Sequence, residues 1–476
     1  MQEQQCSLIR MITEEETDHE KIIRYRSGND KEVDEITSLF DFNPKQYARN
    51  HHLPREMARG EKSGQYEYSA DSSYSYLYEM TMYQVLPKVT VKKKYRNDIE
   101  ICWASYPGLN VTKNAVMFAG DKTIIQTSDS KWSNIDNQHY GNEKIEHVNH
   151  YLGHIPSLIE WTDRLPRFPL RVLQPWSFCR GVPFPLFKSK EGIWFRYKTC
   201  STIFELLRVR IRKNGKWTHI SPLKERNALS KYLNFPKEGV LSSPIMIAEY
   251  SKITHDEEMN IKGDMDHYVV EDIKCFPSEV VNKTNPKVTI NINIEDSIKG
   301  IFYVAENLDA TLTNNLSNFS TNAEEILDGD KPIKGISLKY KDSPLVPLSS
   351  ELTSSVLSDY IESHYPGKYF KGYPRDPGYG VVPLGYDMHA VNHETFKSGK
   401  FTFEFELSDM EEDLDSDDDL DEKKKDEFLD IGSVNSDEVK LIHSYKVHVY
   451  VLYLKRVSFI NGKVEINKIV PIKGKK

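Results

Sequence analysis

Two histidines and a glutamate near the end of the chain have the residue types of a metal site. They are His389 and the pair His393-Glu394, and on a helix a spacing of four residues would place both imidazoles on one face. The surrounding sequence, however, is typical of a loop that leads into a strand, and the pair lacks the His-Glu-x-x-His order of zinc proteases. We therefore predict a turn with solvated histidines and no metal.

Three further histidines, His147, His150 and His154, recur at helical spacing. They fall in or next to a helix that we predict around residues 143–152. Imidazoles on one helix face can ligate a metal, but we interpret these three as residues that line a loop or a helix edge. No metal ligand is predicted from either group of histidines.

Two carboxylates in one strand have the residue types of a glycosidase acid/base pair. Glu404 and Glu406 would lie on the same face at ~6–7 Å, from the rise of a strand. A sugar-cleaving cleft also needs stacking tryptophans, and all six lie in the first half of the chain: Trp103, Trp132, Trp161, Trp176, Trp194 and Trp217. We interpret the glutamates as a solvated strand face. The sequence also lacks a Gly-x-Ser-x-Gly elbow, a phosphate-binding loop and a dinucleotide fingerprint, so we predict no catalytic residue, no cofactor and no enzyme.

One short basic cluster, residues 92–96 (Lys-Lys-Lys-Tyr-Arg), could contact phosphates. Such clusters are more often solvated turns. The chain has a net charge of −8, but residues 409–427 hold 12 acidic residues and three lysines, which leaves the rest of the chain at +1. A balanced body argues against a nucleic-acid surface, so we expect no direct nucleic-acid partner.

The acidic segment contains too few apolar residues to pack into a core. We expect residues 409–438 to form a disordered loop between the last two strands. Its simplest role is solubility. The alternative is an electrostatic contact with a basic partner, or the prevention of premature association.

The cysteines do not form a recognisable pattern. There are five, scattered and without a Cys-x-x-Cys pair: Cys6, Cys102, Cys179, Cys200 and Cys275. This predicts reduced thiols in a cytosolic compartment rather than a disulfide framework or a zinc site. Residues 1–10 carry no signal segment and no run of ~18 apolar residues occurs. We expect a soluble chain made outside the secretory route, so the Asn-x-Ser/Thr triplets are chance matches: Asn110, Asn282, Asn315 and Asn318.

The elements that must position these residues are strands. Residues 401–407 read Phe-Thr-Phe-Glu-Phe-Glu-Leu and residues 288–294 alternate in the same way, which places the apolar side chains on one strand face. Residues 446–454 begin by alternating and become more continuously apolar. Asn-Gly pairs at 214–215 and 461–462 predict tight hairpin turns. Antiparallel sheets with one buried face predict a β-sandwich or a barrel.

At 476 residues the chain is too long for one core. We predict a polar, partly disordered N-terminal arm (1–75), jelly roll 1 (76–255), a linker (256–265) and jelly roll 2 (266–476), which contains the acidic loop. The predicted fold class is all-β. It comprises two tandem jelly-roll β-sandwiches with an extended N-terminal arm and a few short helices in loops.

Several blocks of sequence occur in an order that points to one family. In the second half they are residues 266–282, 288–294, 298–307, 378–386, 398–407 and 446–464, and in the first half, more loosely, residues 174–186 and 204–211. Through these blocks the chain resembles the major capsid proteins of nucleocytoplasmic large DNA viruses. The resemblance implies a double jelly roll.

The resemblance also implies a function. Subunits of that family form trimers with a pseudo-hexameric outline, and these tile an icosahedral shell. This chain would then bind itself as a homotrimer and in lattice contacts, and it would lie in the virion capsid after assembly in the host cytoplasm. Its N-terminal arm and loops would contact other capsid proteins or virion proteins associated with an inner membrane.

Two alternatives stay open at this stage. The first is a minor capsid, penton or assembly-scaffold protein with the same double jelly roll. The second is a glycan-binding tandem β-sandwich, either a hydrolase or an attachment protein.

Overall fold

The computed structural model describes residues 53–62, 65–138, 145–179, 183–213, 215–236, 239–254, 267–282, 287–324, 328–341, 343–349, 378–383, 399–408 and 444–468. These residues form mainly antiparallel strands with a few short helices, which confirms the all-β prediction. Two sequence predictions lie outside the described residues. They are the turn with His389, His393 and Glu394, for which no metal is predicted, and the predicted acidic loop 409–438.

The first half of the chain contains sixteen described strands. In chain order they are β1 (Leu53–Glu56), β2 (Ala58–Lys62), β3 (Gln65–Ser69), β4 (Tyr76–Leu86), β5 (Val89–Val91), β6 (Ile99–Trp103), β7 (Thr112–Ala119), β8 (Thr123–Asp129), β9 (Arg164–Leu165), β10 (Phe168–Leu173), β11 (Phe184–Pro185), β12 (Ile193–Thr199), β13 (Leu207–Lys213), β14 (Lys216–Ile220), β15 (Leu233–Asn234) and β16 (Ile245–Ser251).

The second half contains nine described strands. They are β17 (His267–Asn282), β18 (Lys287–Ile294), β19 (Ser297–Asn307), β20 (Ile333–Tyr340), β21 (Ser343–Ser349), β22 (Tyr379–Pro383), β23 (Gly399–Leu407), β24 (Ser444–Ile460) and β25 (Lys463–Lys468). The described residues also form six short α-helices and four turns of 3-10 helix. The α-helices are α1 (Pro107–Asn110), α2 (Ser130–Gln138), α3 (Ile145–Tyr151), α4 (Pro156–Ile159), α5 (Arg226–Tyr232) and α6 (Leu308–Leu312).

Each half forms two packed sheets. Roll 1 has sheet 1a, in the order β1-β16-β4-β10 with β11 beside β4, and sheet 1b, in the order β2-β3-β12-β7-β8. Roll 2 has sheet 2a, in the order β17-β24-β19-β22 with β25 beside β24, and sheet 2b, in the order β18-β23-β20-β21.

The two rolls have the same topology. The eight main strands of roll 1 are β1, β3, β4, β7, β8, β10, β12 and β16, and those of roll 2 are β17 to β24. Counted within each roll, the strand order is first-eighth-third-sixth in one sheet and second-seventh-fourth-fifth in the other, in both rolls. Two four-stranded sheets with this strand order form a jelly roll. The chain contains two of them and is therefore a double jelly roll.

Roll 1 begins earlier in the sequence than expected. Strands β1 to β3 lie inside the segment predicted as the N-terminal arm (1–75), and they supply the first and second strands of the roll. Residues 54–56 of β1 and residues 58–61 of β2 are exposed, and β2 is rich in charged residues. Such edge strands lack the period-two apolar pattern, and only the pairing of β1 with β16 and of β2 with β3 identifies them.

Insertions between strands of roll 1 pair with one another. Strand β6 pairs with β13, and β5 pairs with both β9 and β15, so two three-stranded sheets form at the margin of the roll. Helix α3 confirms the helix predicted around 143–152.

Both predicted hairpins are present. Strands β24 and β25 pair up to Ile460 and Lys463, and the turn residues Asn461 and Gly462 have φ of 55° and 83°. Positive φ at both central residues is the geometry for which an Asn-Gly pair is selected. Strands β13 and β14 likewise pair up to Lys213 and Lys216.

Candidate functional site at the joint between the rolls

The central strands of sheet 2a, β19 and β24, are largely buried on both faces. The inner face of this sheet packs on sheet 2b, with alternate side chains of β23 (Phe401, Phe403, Phe405) in the core of roll 2. Its outer face packs against helix α2, which belongs to roll 1. The apolar cluster at this contact comprises Trp132, Ile135, Ile273, Phe302, Val304, Phe319, Tyr379, Val381 and Tyr450. We call this contact, with the polar groups around it, the joint.

Trp132 is the centre of the apolar part. Its side chain is buried, and its ring lies edge-on to Phe302 with centroids 5.1 Å apart and 5.7 Å from the ring of Tyr450. Aromatic pairs in these arrangements add about 0.5–1.5 kcal/mol beyond the area they bury. One side chain of roll 1 thus packs on two strands of sheet 2a.

Asp129 starts helix α2 and also binds roll 2. One carboxylate oxygen accepts a hydrogen bond from the backbone N–H of Trp132 at 2.8 Å, the contact of a helix cap. The hydroxyl of Tyr450 donates to the same carboxylate, at 3.0 and 2.9 Å from its two oxygens. Burial and the charge of Asp129 raise the pKa of Tyr450, so this phenol stays protonated and remains a donor.

Asp272 links the edge of sheet 1b to sheet 2a. Its carboxylate is buried and accepts from the backbone N–H of Thr127, on the edge strand β8, at 2.8 Å. It also accepts from the hydroxyl of Tyr453 at 2.9 Å and forms an ion pair with Lys455. A backbone N–H on the edge strand β8 of roll 1 therefore has a hydrogen-bond acceptor in roll 2, whereas the N–H groups of a free edge strand have no acceptor in the protein.

A second buried charge network crosses the joint. The Oε2 atom of Glu306 lies 2.7 Å from Nε2 of His448, and its Oε1 atom lies 3.3 Å from the Nζ atom of Lys131 on helix α2. Burial alone would raise the pKa of Glu306, but the hydrogen bond from His448 and the positive charge of Lys131 outweigh it and lower the pKa to about 2. Glu306 is therefore a carboxylate that holds both groups.

The same network contains a thiol. The Sγ atom of Cys275 lies 3.9 Å from Nδ1 of His448, so Cys275, His448 and Glu306 lie in the order of a cysteine–histidine–carboxylate triad. Burial, and then the charge of Asp129, raises the pKa of this thiol to about 11, so it stays protonated. His448 is only 7% exposed, whereas Cys275 is partly exposed. A protonated thiol is a weak nucleophile, so the network is better suited to holding the joint together than to nucleophilic attack.

A loop of roll 2 completes the joint by entering roll 1. The Nδ2 atom of Asn314 donates to the backbone carbonyls of Phe204 and Leu207 at 2.7 and 2.8 Å. Next to it, Ser317 donates to Asn134 and accepts from Asn110, both at 2.8 Å. These side chains are buried and satisfy backbone and amide groups of the other roll, so they fix the orientation between the rolls.

Three of the predicted glycosylation triplets lie in this region, at Asn110, Asn315 and Asn318. Each of these side chains is buried. The amide nitrogen of Asn315 donates to the carbonyls of Ala323 and Glu324, and that of Asn318 donates to Asn322. A glycan on any of these three amides would have to disrupt these buried contacts.

The histidines that the sequence singled out are not brought together at a described site. The ring of His154 stacks on Tyr106 with centroids 3.8 Å apart, and the ring of His150 lies 5.8 Å from Phe168. His147 lies in α3, but its side chain is outside the described part. Among the described side chains, no group of three or more histidine, cysteine, aspartate and glutamate residues could hold a metal ion.

The two glutamates of β23 lie on the outer face of sheet 2b. Glu404 forms an ion pair of 2.7 Å with Lys339 on β20, and both side chains are partly exposed. The tryptophans are elsewhere: Trp161 and Trp217 flank the guanidinium of Arg210, at 4.6 and 4.9 Å from their centroids. That guanidinium pairs with Glu100, a carboxylate other than the two glutamates of β23.

The basic cluster 92–96 is partly engaged within the chain. Lys92 donates from Nζ to the carbonyl of Lys231 at 2.6 Å, and Arg96 pairs with Asp163 at 3.0 Å. Residues 93–95 form a short turn of 3-10 helix with exposed lysines. In the part of the chain that the structure describes, no helix is long and apolar enough to cross a bilayer.

Known proteins match this chain in structure and not in sequence. No protein-family model matches it, and no curated protein does. VP54 of PBCV-1, fitted into a reconstruction of the virophage Sputnik, matches with a TM-score of 0.60 and 9% identity over 90% of this chain and 98% of VP54. The Faustovirus major capsid protein matches with a TM-score of 0.59 and 8% identity over 95% of this chain and 99% of that protein. A chain of the Sputnik virophage matches with a TM-score of 0.52 and 9% identity, over 90% of this chain and 89% of its own length. These likenesses concern the fold, and the chain has the double jelly-roll fold of these viral proteins.

Proposed function

We propose that this chain is a structural subunit of an icosahedral viral capsid and not an enzyme. The observation that carries the proposal is the joint between two rolls of equal topology, in a chain that matches VP54 of PBCV-1 and the Faustovirus major capsid protein over nearly their whole lengths. A shell subunit must present the same outline to every neighbour. A joint with a buried apolar centre and two buried charge networks gives the two rolls one fixed relative orientation.

The finer proposal concerns assembly. Three copies supply six rolls of equal topology, which produces a capsomer with a pseudo-hexameric outline. Lattice contacts between capsomers then build the shell, and the protein lies in the virion after assembly in the host cytoplasm. Residues 1–52 and the loops are the segments proposed to contact other capsid proteins or virion proteins associated with an inner membrane.

The chemistry of the described residues supports a structural role. Cys275 stays protonated beside a buried imidazole, and Glu404 is paired with Lys339 on an open sheet face. The buried charges Asp272 and Glu306 are each bound by groups from both rolls. The carboxylates of Asp272 and Glu306 therefore hold elements of roll 1 and roll 2 together at the joint.

The oligomeric state of the purified full-length chain tests the proposal. Size-exclusion chromatography with light scattering should give a particle of three times 55.2 kDa. An obligate trimer of this kind buries ~2,000 Å² or more at each interface, so the mass should not change on dilution to the micromolar range. A monomer at all concentrations, combined with binding on a glycan array, would contradict the proposal and favour the tandem β-sandwich that binds glycans.

A further inference from the structure

Three connections of roll 1 bring basic residues together at one end of sheet 1a. Leu86, at the end of β4, pairs with Phe168, at the start of β10. Tyr83, three residues earlier in β4, pairs with Ile245, at the start of β16. The small sheet at this end has the strand order β15-β5-β9, and each of its strands comes from a different connection. Residues that are far apart in the sequence therefore lie on one surface.

The segments that form this end carry ten basic and three acidic residues. They are residues 88–98, 163–167 and 224–231, and we call their exposed part the basic surface. Nine of the ten basic residues are exposed. The segments have a net charge of +7, although the chain without residues 409–427 sums to only +1. The positive charge is thus concentrated in one place, and the balanced total of the body conceals it. The basic residues are Lys88, Lys92, Lys93, Lys94, Arg96, Arg164, Arg167, Lys224, Arg226 and Lys231.

Contacts within the chain hold several of these basic groups side by side. Asp163 forms ion pairs with Arg96 at 3.0 Å and with Arg164 at 3.1 Å, so one carboxylate keeps two guanidinium groups together. The Nζ atom of Lys92 donates to the carbonyl oxygen of Lys231 at 2.6 Å, which joins the first segment to helix α5. Because these groups are already positioned, less side-chain entropy is lost when a polyanion binds them.

The small sheet adds neutral hydrogen-bonding groups to the basic surface. One of its faces lies on the core of roll 1 through residues such as Val91. On its other face, Thr90 is the cross-strand partner of both Arg164 and Asn234, and cross-strand partners share a face. The amide of Asn234 donates to the hydroxyl of Thr90 at 3.4 Å. A row of guanidinium, hydroxyl and amide groups suits a ligand that carries both anionic groups and hydroxyls.

The one aromatic residue of the three segments, Tyr95, is not available for stacking. Its ring packs edge-on against Tyr232 with centroids 4.8 Å apart, and the Nζ atom of Lys94 lies 5.4 Å from the centroid of the same ring. Proteins that bind single-stranded nucleic acids use aromatic faces on which the bases stack. The basic surface therefore favours a polyanion without bases.

The position of the basic surface indicates where its partner is met. Leu53, the first residue of β1, pairs with Tyr250, which in turn pairs with Leu77 near the start of β4. From Leu77 to Leu86 the strand rises by ~30 Å, so the chain enters roll 1 at the end of sheet 1a opposite the basic surface. The proposed function assigns residues 1–52 to contacts on the inner side of the shell. The basic surface then faces outwards, and this step rests on the proposed function.

We propose that the basic surface binds a sulfated polysaccharide outside the particle. Lysine and arginine pair with the sulfate groups through charge-assisted hydrogen bonds, and the hydroxyl and amide groups of Thr90 and Asn234 bind the sugar hydroxyls. Binding of a polyanion releases its counterions, so the affinity falls steeply as the salt concentration rises.

Heparin is the probe, and the purified full-length chain is used. Lys93→Glu/Lys94→Glu reverses two exposed charges of the basic surface, whereas Lys122→Glu/Lys463→Glu makes the same change at two exposed lysines outside it. Surface plasmon resonance on immobilised heparin should show binding weaker by about tenfold or more for the first variant and unchanged binding for the second. Desulfated heparin, which keeps the sugar backbone and its carboxylates, should bind the wild type much more weakly than heparin. Circular dichroism establishes that both variants are folded.

Four results would overturn the inference. They are a wild type that does not bind heparin at physiological ionic strength, equal losses in the two variants, equally tight binding of desulfated heparin, and tighter binding of a DNA duplex than of heparin. Light scattering on the same samples separates the inference from the proposed function. A trimer that does not bind heparin leaves the capsid function standing, whereas a monomer that binds heparin through the basic surface supports the ligand and contradicts the capsid function.

Discussion

The two sheets of roll 2 follow different sequence rules, although they pack on each other. Strand β23, in sheet 2b, alternates buried and solvent-facing residues along its length. Strand β24, in sheet 2a, is buried at nearly every position from Ser444 to Leu454. Sheet 2b faces solvent with Glu404 and Lys339, whereas sheet 2a faces helix α2. The loss of alternation in β24 therefore marks a second buried face, and that face is where the two rolls join.

The largest effect should come from the centre of the joint. Trp132→Ala removes a buried indole that packs on Phe302 and Tyr450, and the cost to the free energy of unfolding should be about 3–5 kcal/mol. Trp194→Ala is the control, because Trp194 is 37% exposed on sheet 1b, and it should cost less than about 1 kcal/mol. Guanidinium unfolding curves measure both. Equal losses in the two variants would show that the joint is no more tightly packed than an open sheet face.

The next effect should come from the buried charge of Asp272. Asp272→Ala leaves the ammonium of Lys455 without its buried carboxylate and the Thr127 N–H without an acceptor, so the loss should be about 3 kcal/mol. Asp272→Ala combined with Lys455→Met removes both charges and should recover part of that loss. Urea unfolding of the single and double variants gives the coupling energy. A double variant as unstable as the single one would show that the ion pair is not the source of the effect.

Acid should weaken the joint through Glu306. Its pKa falls from 4.5 to about 2 on folding, so the stabilisation is complete above pH 4.5 and is lost as the pH falls from 4.5 towards 2. The shift corresponds to roughly 3 kcal/mol at most. The difference in unfolding free energy between the wild type and Glu306→Gln, measured at pH 7 and at pH 3, should therefore shrink at the lower pH. A difference that stays constant between pH 7 and pH 3 would mean that protonation of Glu306 does not change the stability of the joint.

The smallest effect should come from the open face of sheet 2b. Glu404→Gln breaks a partly exposed ion pair with Lys339 and should change the free energy of unfolding by less than about 1 kcal/mol, and less still at high salt. Thermal unfolding at low and high ionic strength measures this. A loss of stability as large as that of Asp272→Ala would contradict the view that an ion pair on the exposed face of sheet 2b contributes less than one at the buried face of sheet 2a.

The sequence predicts the double jelly roll and the strands of roll 2 well, because antiparallel strands with one solvent-exposed face alternate apolar and polar residues. It predicts the start of roll 1 poorly. Strand β1 reads Leu-Pro-Arg-Glu, without an alternating apolar pattern, and residues 54–56 are exposed. Its place in sheet 1a therefore depends on distant pairing with β16 and not on local pattern.

The joint could be predicted only in part. The more continuously apolar run at residues 446–454 indicates a strand buried on both faces, and His448 inside that run indicates a buried polar contact. Helix α2 (Ser-Lys-Trp-Ser-Asn-Ile-Asp-Asn-Gln) contains several poor helix formers. It is stabilised by the cap at Asp129 and by its contact with sheet 2a, and the partners of that contact are far away in the sequence, from Ile273 onwards.

Cryo-electron microscopy of the purified full-length assembly tests the central claim most directly. We expect a ring of three copies and six lobes, in which roll 1 and roll 2 alternate and the two rolls of each chain keep the orientation set by Trp132, Asp272 and Glu306. Particles in which the two rolls of one chain take variable orientations, or rings in which like rolls face each other, would contradict it.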